Sequence, residues 1–232
     1  MKKIITLLVV AVLISACSSK KEGNMVVKGK IKGLKKGTLY LQKMKDTVLI
    51  SVDSITLLGN DDFKLTDNVE SPVLYYVTFD GNTTDKRILF FGGAGEITIN
   101  DKLEQFGYNP EILGSKNQTI LDKYNKVKSK FQENRLDFIK KDFEAKKAND
   151  KEEISRLEQE YLKLTKRKVL FTTNFAISNA DTEVAPYIAL TDMYDASLKM
   201  LDTVNNSFTD KIKASDYGKR FQEYLNNLKK EE

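Results

Sequence analysis

Histidine is absent from this chain, and cysteine occurs once, at Cys17, among 232 residues. The first absence removes the commonest general base, the commonest metal ligand and every nucleophile system built on an imidazole. The second removes an internal disulfide framework, a C-x-x-C redox pair and a thiolate metal site. No cofactor and no metal site are therefore expected. Long apolar runs are also lacking: Ile4 to Leu13 is far short of the roughly 20 residues that span a bilayer. What remains is 41% hydrophobic and 31% charged, enough for a packed core with a solvated surface.

The first segment reports an address. Lys2 and Lys3 precede the apolar run, and Ile14-Ser15-Ala16-Cys17 closes it with small residues before the cysteine. A secretory signal has this form. The cysteine at the cleavage point resembles the lipobox of bacterial lipoproteins, which implies cleavage after residue 16 and lipidation of Cys17. The expected organisation is a signal peptide over 1–16, a lipidated tether over 17–24, an antiparallel β domain over 25–114 and an α-helical region over 115–232. Ser18-Ser19-Lys20-Lys21-Glu22 lacks an acid cluster that would point to surface display. The expected location is the cell envelope, anchored in the outer membrane and facing the periplasm.

The fold class expected is α+β, an N-terminal sandwich or partly open barrel followed by a helical hairpin and further helices. Val27, Gly29 and Ile31 alternate with lysines, and Val48, Ile50 and Val52 alternate again, the period of half-buried strands. Gly33 to Gly37 reads as a turn before a returning strand over Thr38 to Lys43. Asp80-Gly81 is a hairpin signal, and about seven strands are counted up to Asn100. From Ser115 the period lengthens. Ile120, Tyr124, Val127, Phe131 and Phe138 form one helical stripe, and Ile154, Leu157, Tyr161, Leu164, Phe171 and Phe175 another, with Ala148-Asn149-Asp150 between them. A third helix is expected from near Pro186 to about Leu201, and a last one over Ser215 to Lys230.

The order of short phrases carries a further signal. Gly29-Lys30-Ile31-Lys32-Gly33, Lys36-Gly37-Thr38-Leu39-Tyr40-Leu41, Asp53-Ser54-Ile55, Gly95-Glu96-Ile97-Thr98-Ile99 and Gly114-Ser115 succeed one another. Phe63 to Leu65, Pro72, Ala185-Pro186-Tyr187 and Ser215-Asp216-Tyr217-Gly218-Lys219 extend the series. It resembles the uncharacterised N-terminal region, domain of unknown function 4369, of envelope thiol:disulfide interchange lipoproteins. In those proteins the region precedes a thioredoxin-like domain, which is expected to be missing here. The resemblance thus implies the fold and the envelope location but no redox activity, since no residue can serve as a catalytic cysteine pair.

Other candidates carry less. Gly92-Gly93-Ala94-Gly95 lacks the Lys-Ser/Thr ending of a phosphate loop and reads as a hairpin turn. Tyr75-Tyr76 and Phe90-Phe91 place one ring on each face of a sheet, for core packing on one side and helix contact on the other. Asp46-Thr47-Val48, Asp53-Ser54-Ile55 and Asp202-Thr203-Val204 resemble acceptors of a bacterial envelope O-glycosylation system, which would modify Thr47, Ser54 or Thr203. Asp61 with Asp62, and Asp192 with Asp195, show nothing beyond surface acid placement. Lys168 fills a polar slot in the second helical stripe, where its stem can reach solvent.

Charge is uneven: residues 115–170 carry 16 basic against 10 acidic side chains within a net charge of +5. Such a segment suits anionic lipid headgroups or acidic glycans, whereas an exported protein has little occasion to meet nucleic acid. The function expected is a non-catalytic, lipid-anchored envelope protein that binds or positions a partner. Its contacts would be the membrane through Cys17 and an envelope protein, glycan or anionic lipid. The alternative is the detached docking half of an envelope thiol:disulfide redox system working with a separate thioredoxin-like protein. A carboxylate-based glycan hydrolase is the residual enzymatic reading.

Overall fold

The computed structural model describes residues 23–194 and 196–231. Eight strands come first: β1 (Met25–Lys32), β2 (Lys36–Lys45), β3 (Val48–Leu58), β4 (Asp62–Asp67), β5 (Val73–Phe79), β6 (Asn82–Gly92), β7 (Gly95–Lys102) and β8 (Glu111–Leu113). Helices follow: α1 (Lys116–Ala148), α2 (Lys151–Ser178), α3 (Val184–Asp192), α4 (Leu198–Ser207), α5 (Asp210–Ala214) and α6 (Asp216–Glu231). The class is α+β, as the sequence indicates. The strands form two separate four-stranded sheets, ordered β4-β1-β7-β8 and β3-β2-β5-β6, and so make a sandwich and not a closed barrel.

The strand pattern fixes which side chains are buried. In β1, Met25, Val27 and Ile31 are fully buried while Lys28 and Lys32 point to solvent. Gly29 takes the remaining inward slot at φ +154°, where a Cβ would lie 1.8 Å from the Ile99 carbonyl oxygen, so only glycine fits. The β5–β6 hairpin turns on Asp80 and Gly81, both at positive φ, as an Asp-Gly two-residue turn requires.

Three strand-level expectations need correction. The Gly33 to Gly37 turn does not bring β2 back against β1. It carries the chain to the other sheet, where β2 pairs with β3 and β5. The vacant edge of β1 is instead taken by β7 in parallel, Met25 opposite Gly95 through Lys32 opposite Lys102. One pairing in an otherwise antiparallel fold therefore departs from the rule. Gly92 to Gly95 is a crossing between sheets and not a hairpin turn, because β6 and β7 belong to different sheets. The short β8, which pairs with β7, was not foreseen. Periodicity reports which face a strand buries; it does not report its neighbour.

Two cores result. Between the sheets lie Met25, Val27, Leu39, Leu65, Val77 and Ile99, with Tyr75 stacked on Phe90 at 5.8 Å. The outer face of the β5–β6 pair contributes Leu74 and Phe91 to the second core, which the helices build. Phe91 meets Tyr187 and Tyr217 edge-on, each at 5.9 Å. The aromatic pairs thus divide between the faces as expected.

Helices α1 and α2 are antiparallel, with seam contacts Tyr124–Phe171, Phe131–Phe171 and Phe138–Tyr161 at 5.6–5.8 Å. Asn149 in the left-handed region ends α1, and the Asp150 carboxylate caps α2 by accepting the Glu153 N–H at 3.0 Å. The expected third helix is two helices: α3 stops at Asp192, and Ser197, extended at ψ 152°, precedes α4. Met193 at the break is fully buried. Both segments contribute to the same helical core, Ile188 and Ala189 from α3 and Leu201 and Val204 from α4.

Sandwich and helices are joined first at the edge of β6. β6 is an edge strand, and the outward backbone of Phe91 is completed by α1. Its N–H donates to Gln118 Oε1 at 2.7 Å, and its carbonyl accepts from Ser115 Oγ at 2.7 Å. Ser115 also caps α1 by accepting the Gln118 N–H at 3.1 Å. Gly114, at φ +91°, turns the chain there, and a Cβ would come within 2.2 Å of the Glu96 carbonyl oxygen. A second tie runs from the Leu74 N–H to the Tyr217 hydroxyl at 3.2 Å.

Gln118→Ala should lower stability by about 1–3 kcal/mol, because the buried Phe91 N–H then lacks a partner. Urea unfolding would show this as a lower midpoint at unchanged slope; an unchanged midpoint would refute the role given to this junction. A second prediction concerns alkali. Burial pushes up the phenols of Tyr75, Tyr124, Tyr187 and Tyr217, Tyr187 to about 12, and the Asp67 carboxylate beside Tyr75 adds to the rise. A raised phenol keeps its proton in the folded state while the unfolded chain ionises near pH 10. Its stabilisation is complete below pH 10 and is lost as pH climbs above that, by up to about 1.4 kcal/mol per pH unit for each group. The urea midpoint at pH 11 should therefore fall below that at pH 8, and Tyr124→Phe should reduce the drop.

Candidate binding surfaces

A hollow of about 600 Å³ lies where the end of the sandwich meets the helices, between Pro72 and Gly93 on one side and Lys116, Asn117, Glu183 and Lys211 on the other. Its charges answer one another. Glu183, with only 7% of its side chain exposed, accepts from Asn117 Nδ2 at 2.9 Å and faces Lys211 Nζ at 3.9 Å. Lys116 pairs with Asp181 at 3.5 Å. Each buried polar group at this seam thus has a partner inside the fold, which is what holding two units together requires.

The helical hairpin differs. Between Lys126 and Lys147 of α1 only Ala145 is buried, and between Lys151 and Lys168 of α2 only Leu157. This outer half is two helices and little else. It nevertheless carries Leu136 at 67% exposure, Ile139 at 53%, Phe143 at 68% and Leu162 at 61%. Along one side runs a groove of two hollows, about 270 Å³ each, that share Arg135 and Tyr161. Phe131, Phe138, Leu157 and Leu164 line it. Lys168 is half-buried beside it, its ammonium 5.2 Å from the centre of the Tyr194 ring, so the polar slot is occupied by a cation–π contact.

The exposed apolar residues lie off the stripes that the sequence reading follows. Leu136, Ile139 and Phe143 are spaced by three and four residues, a second helical stripe on the same helix. That spacing was the available signal, and the stronger seam stripe conceals it.

The other singled-out residues are dispersed. Thr47 is exposed in the β2–β3 turn, Ser54 is exposed on edge strand β3, and Thr203 is exposed on α4 with its hydroxyl donating to the Lys199 carbonyl at 2.8 Å. Cys17 lies outside the described residues. Asp53 is not a surface acid: its carboxylate accepts the N–H groups of Ser54 and Thr66, each at 2.9 Å, tying β3 to β4. Asp192 is buried and paired with Lys128 at 2.8 Å, while Asp195 lies outside the described residues. Asp61 accepts the Gly33 N–H and faces Lys30, contacts that hold its carboxyl below the usual range. Among the described residues no group of three or more His, Cys, Asp or Glu could hold a metal ion, and no helix is long and apolar enough to cross a membrane.

Replacing Ile139 and Phe143 by serine should leave stability within about 0.5 kcal/mol, the range for exposed positions. Leu121→Ala, in the helical core, should cost about 2–5 kcal/mol. Equal losses in the two variants would show that the outer stripe belongs to the core.

No curated protein matches the chain. A family model described as a domain of unknown function (DUF4369) matches residues 25–121, which takes in the whole sandwich, the Gly114-Ser115 turn and the start of α1 as far as Leu121. The likeness is confined to residues 25–121, and most of the helical region lies beyond the match.

Proposed function

We propose that this is a non-catalytic, lipid-anchored envelope protein that holds a partner with its helical hairpin. The observation that carries this reading is the outer half of the hairpin, where Leu136, Ile139, Phe143 and Leu162 stand exposed on helices with almost no core of their own. Side chains of that kind, grouped and uncovered, belong to surfaces that meet something. At 33 residues α1 is about 50 Å long at 1.5 Å per residue, so it carries the surface well away from the sandwich. Lipidation of Cys17, cleavage after residue 16 and a periplasm-facing outer-membrane location complete the proposal and rest on the Met1–Cys17 pattern.

The second reading, a docking half for a separate thioredoxin-like protein, rests on the resemblance of the short phrases over residues 29–115 to the N-terminal region of envelope thiol:disulfide interchange lipoproteins. A fold alone does not carry an activity, and this reading also places the partner on the hairpin or the sandwich. One experiment addresses both. A photo-crosslinking amino acid is placed at Phe143 of the full chain in cells, with Leu58, 80% exposed on β3, as control. Specific capture at Phe143 alone is expected, and a thioredoxin-like protein in the adduct would select the redox reading. Capture of neither protein nor lipid at Phe143, or equal capture at both positions, would contradict a binding role for the hairpin. Fatty-acid labelling lost in Cys17→Ala is expected for the anchor; labelling that persists would remove it.

A further inference from the structure

We infer that the outer face of α1 rests on an anionic lipid bilayer; this deepens the binding role given above to the hairpin and depends on it. At 100° per residue, Gln132, Leu136, Ile139, Lys140, Phe143 and Lys147 fall within an arc of about 100°; Leu136 and Phe143 lie opposite the seam residues Phe131, Phe138 and Ala145, and Ile139, at the arc's edge, also borders the groove shared with Leu157. All six are exposed. Three are large and apolar, and Lys140 and Lys147 flank them on one side. On the other side stands Lys146, which Asp142 engages at 2.7 Å. No carboxylate lies within the arc: Asp137, Asp142, Glu133 and Glu144 all fall outside it. Lys140 and Lys147 make no ion pair among the described residues.

With its other apolar stripe taken up by the seam with α2, α1 offers solvent a single apolar stripe edged by lysine, and that exposed face has the character of a helix lying in a membrane interface. The rings and aliphatic chains enter the headgroup boundary, and the ammonium groups stay with the phosphates. The path of the chain agrees. The Asn24 carbonyl accepts the Gly95 N–H at 2.8 Å, and Gly93 and Ala94 border the same hollow as Ser115 and Lys116. The chain therefore enters the sandwich beside the base of α1. A tether from Cys17 to Asn24 would reach about 25 Å at most, so a lipid on Cys17 would hold that base near the bilayer. The helix would then add a second contact along its length and lay the protein on the surface.

The test uses the chain from Cys17 onward with Cys17→Ser, which keeps every described element and has no lipid of its own. Vesicles of phosphatidylethanolamine and phosphatidylglycerol at three to one are compared with pure phosphatidylcholine by co-sedimentation. Binding to the anionic vesicles alone, weakening as salt is raised, is expected. Ile139→Ser with Phe143→Ser should weaken it at least ten-fold, and Lys140→Glu with Lys147→Glu at least as much, with helix content by circular dichroism unchanged. Absence of binding, or binding indifferent to both pairs of substitutions, overturns the inference. If vesicles fail but a cellular protein is still captured specifically at Phe143, the occupant is a protein and the binding role stands. If both fail, the role fails with them.

Discussion

The structure depends on how one edge strand is closed. β6 ends the sheet β3-β2-β5-β6, and its backbone at Phe91 would otherwise present an unpaired donor and acceptor. Ser115 and Gln118 complete both, and Ser115 in the same stroke starts α1. The bond that protects the sheet is therefore the bond that aims the helix. It also puts the Phe91 ring among Tyr187 and Tyr217, so that the second core is organised around a residue of the sandwich. That the DUF4369 match runs on to Leu121, one turn past this junction, is consistent with sandwich and junction forming one unit.

From that fixed base α1 departs as a long lever. Its first turns are held by Leu121 and Tyr124 in the helical core, and its outer turns by the seam with α2 alone. The division of labour is visible in burial. Large side chains at the base are covered, whereas those at 136, 139 and 143 are left in water. Their exposure leaves them little part in the core, and the partner proposed for the hairpin would account for them. The large hollow at the seam between sandwich and helices is the opposite case: Glu183 is engaged by Asn117 and Lys211, and Lys116 by Asp181.

Much of this was legible before the structure. The change of period at Ser115, the Asp-Gly turn of β5–β6, the antiparallel hairpin and the division of Tyr75 and Phe91 between two faces follow from spacing and turn chemistry. What was not legible is long-range. The parallel union of β1 with β7 is set by which edge remains vacant once β4 has paired, and Gly92 to Gly95 looks the same whether it turns within a sheet or crosses to another. At the break between α3 and α4 Met193 is buried in the helical core, and no proline or glycine marks the place in the sequence. At the candidate surface the seam stripe was read and the outer stripe on the same helix was not, since the stronger period hides the weaker.

The central claim is that the outer hairpin is exposed by design and becomes covered in its working setting. Hydrogen exchange read by mass spectrometry tests it most directly, on the full chain in membranes of the cells that make it and again after extraction into mild detergent. The account predicts that peptides covering 132–147 are protected in the membranes and exchange faster after extraction, while the Phe91–Leu121 junction is equally protected in both. Identical exchange of 132–147 in the two preparations would contradict it.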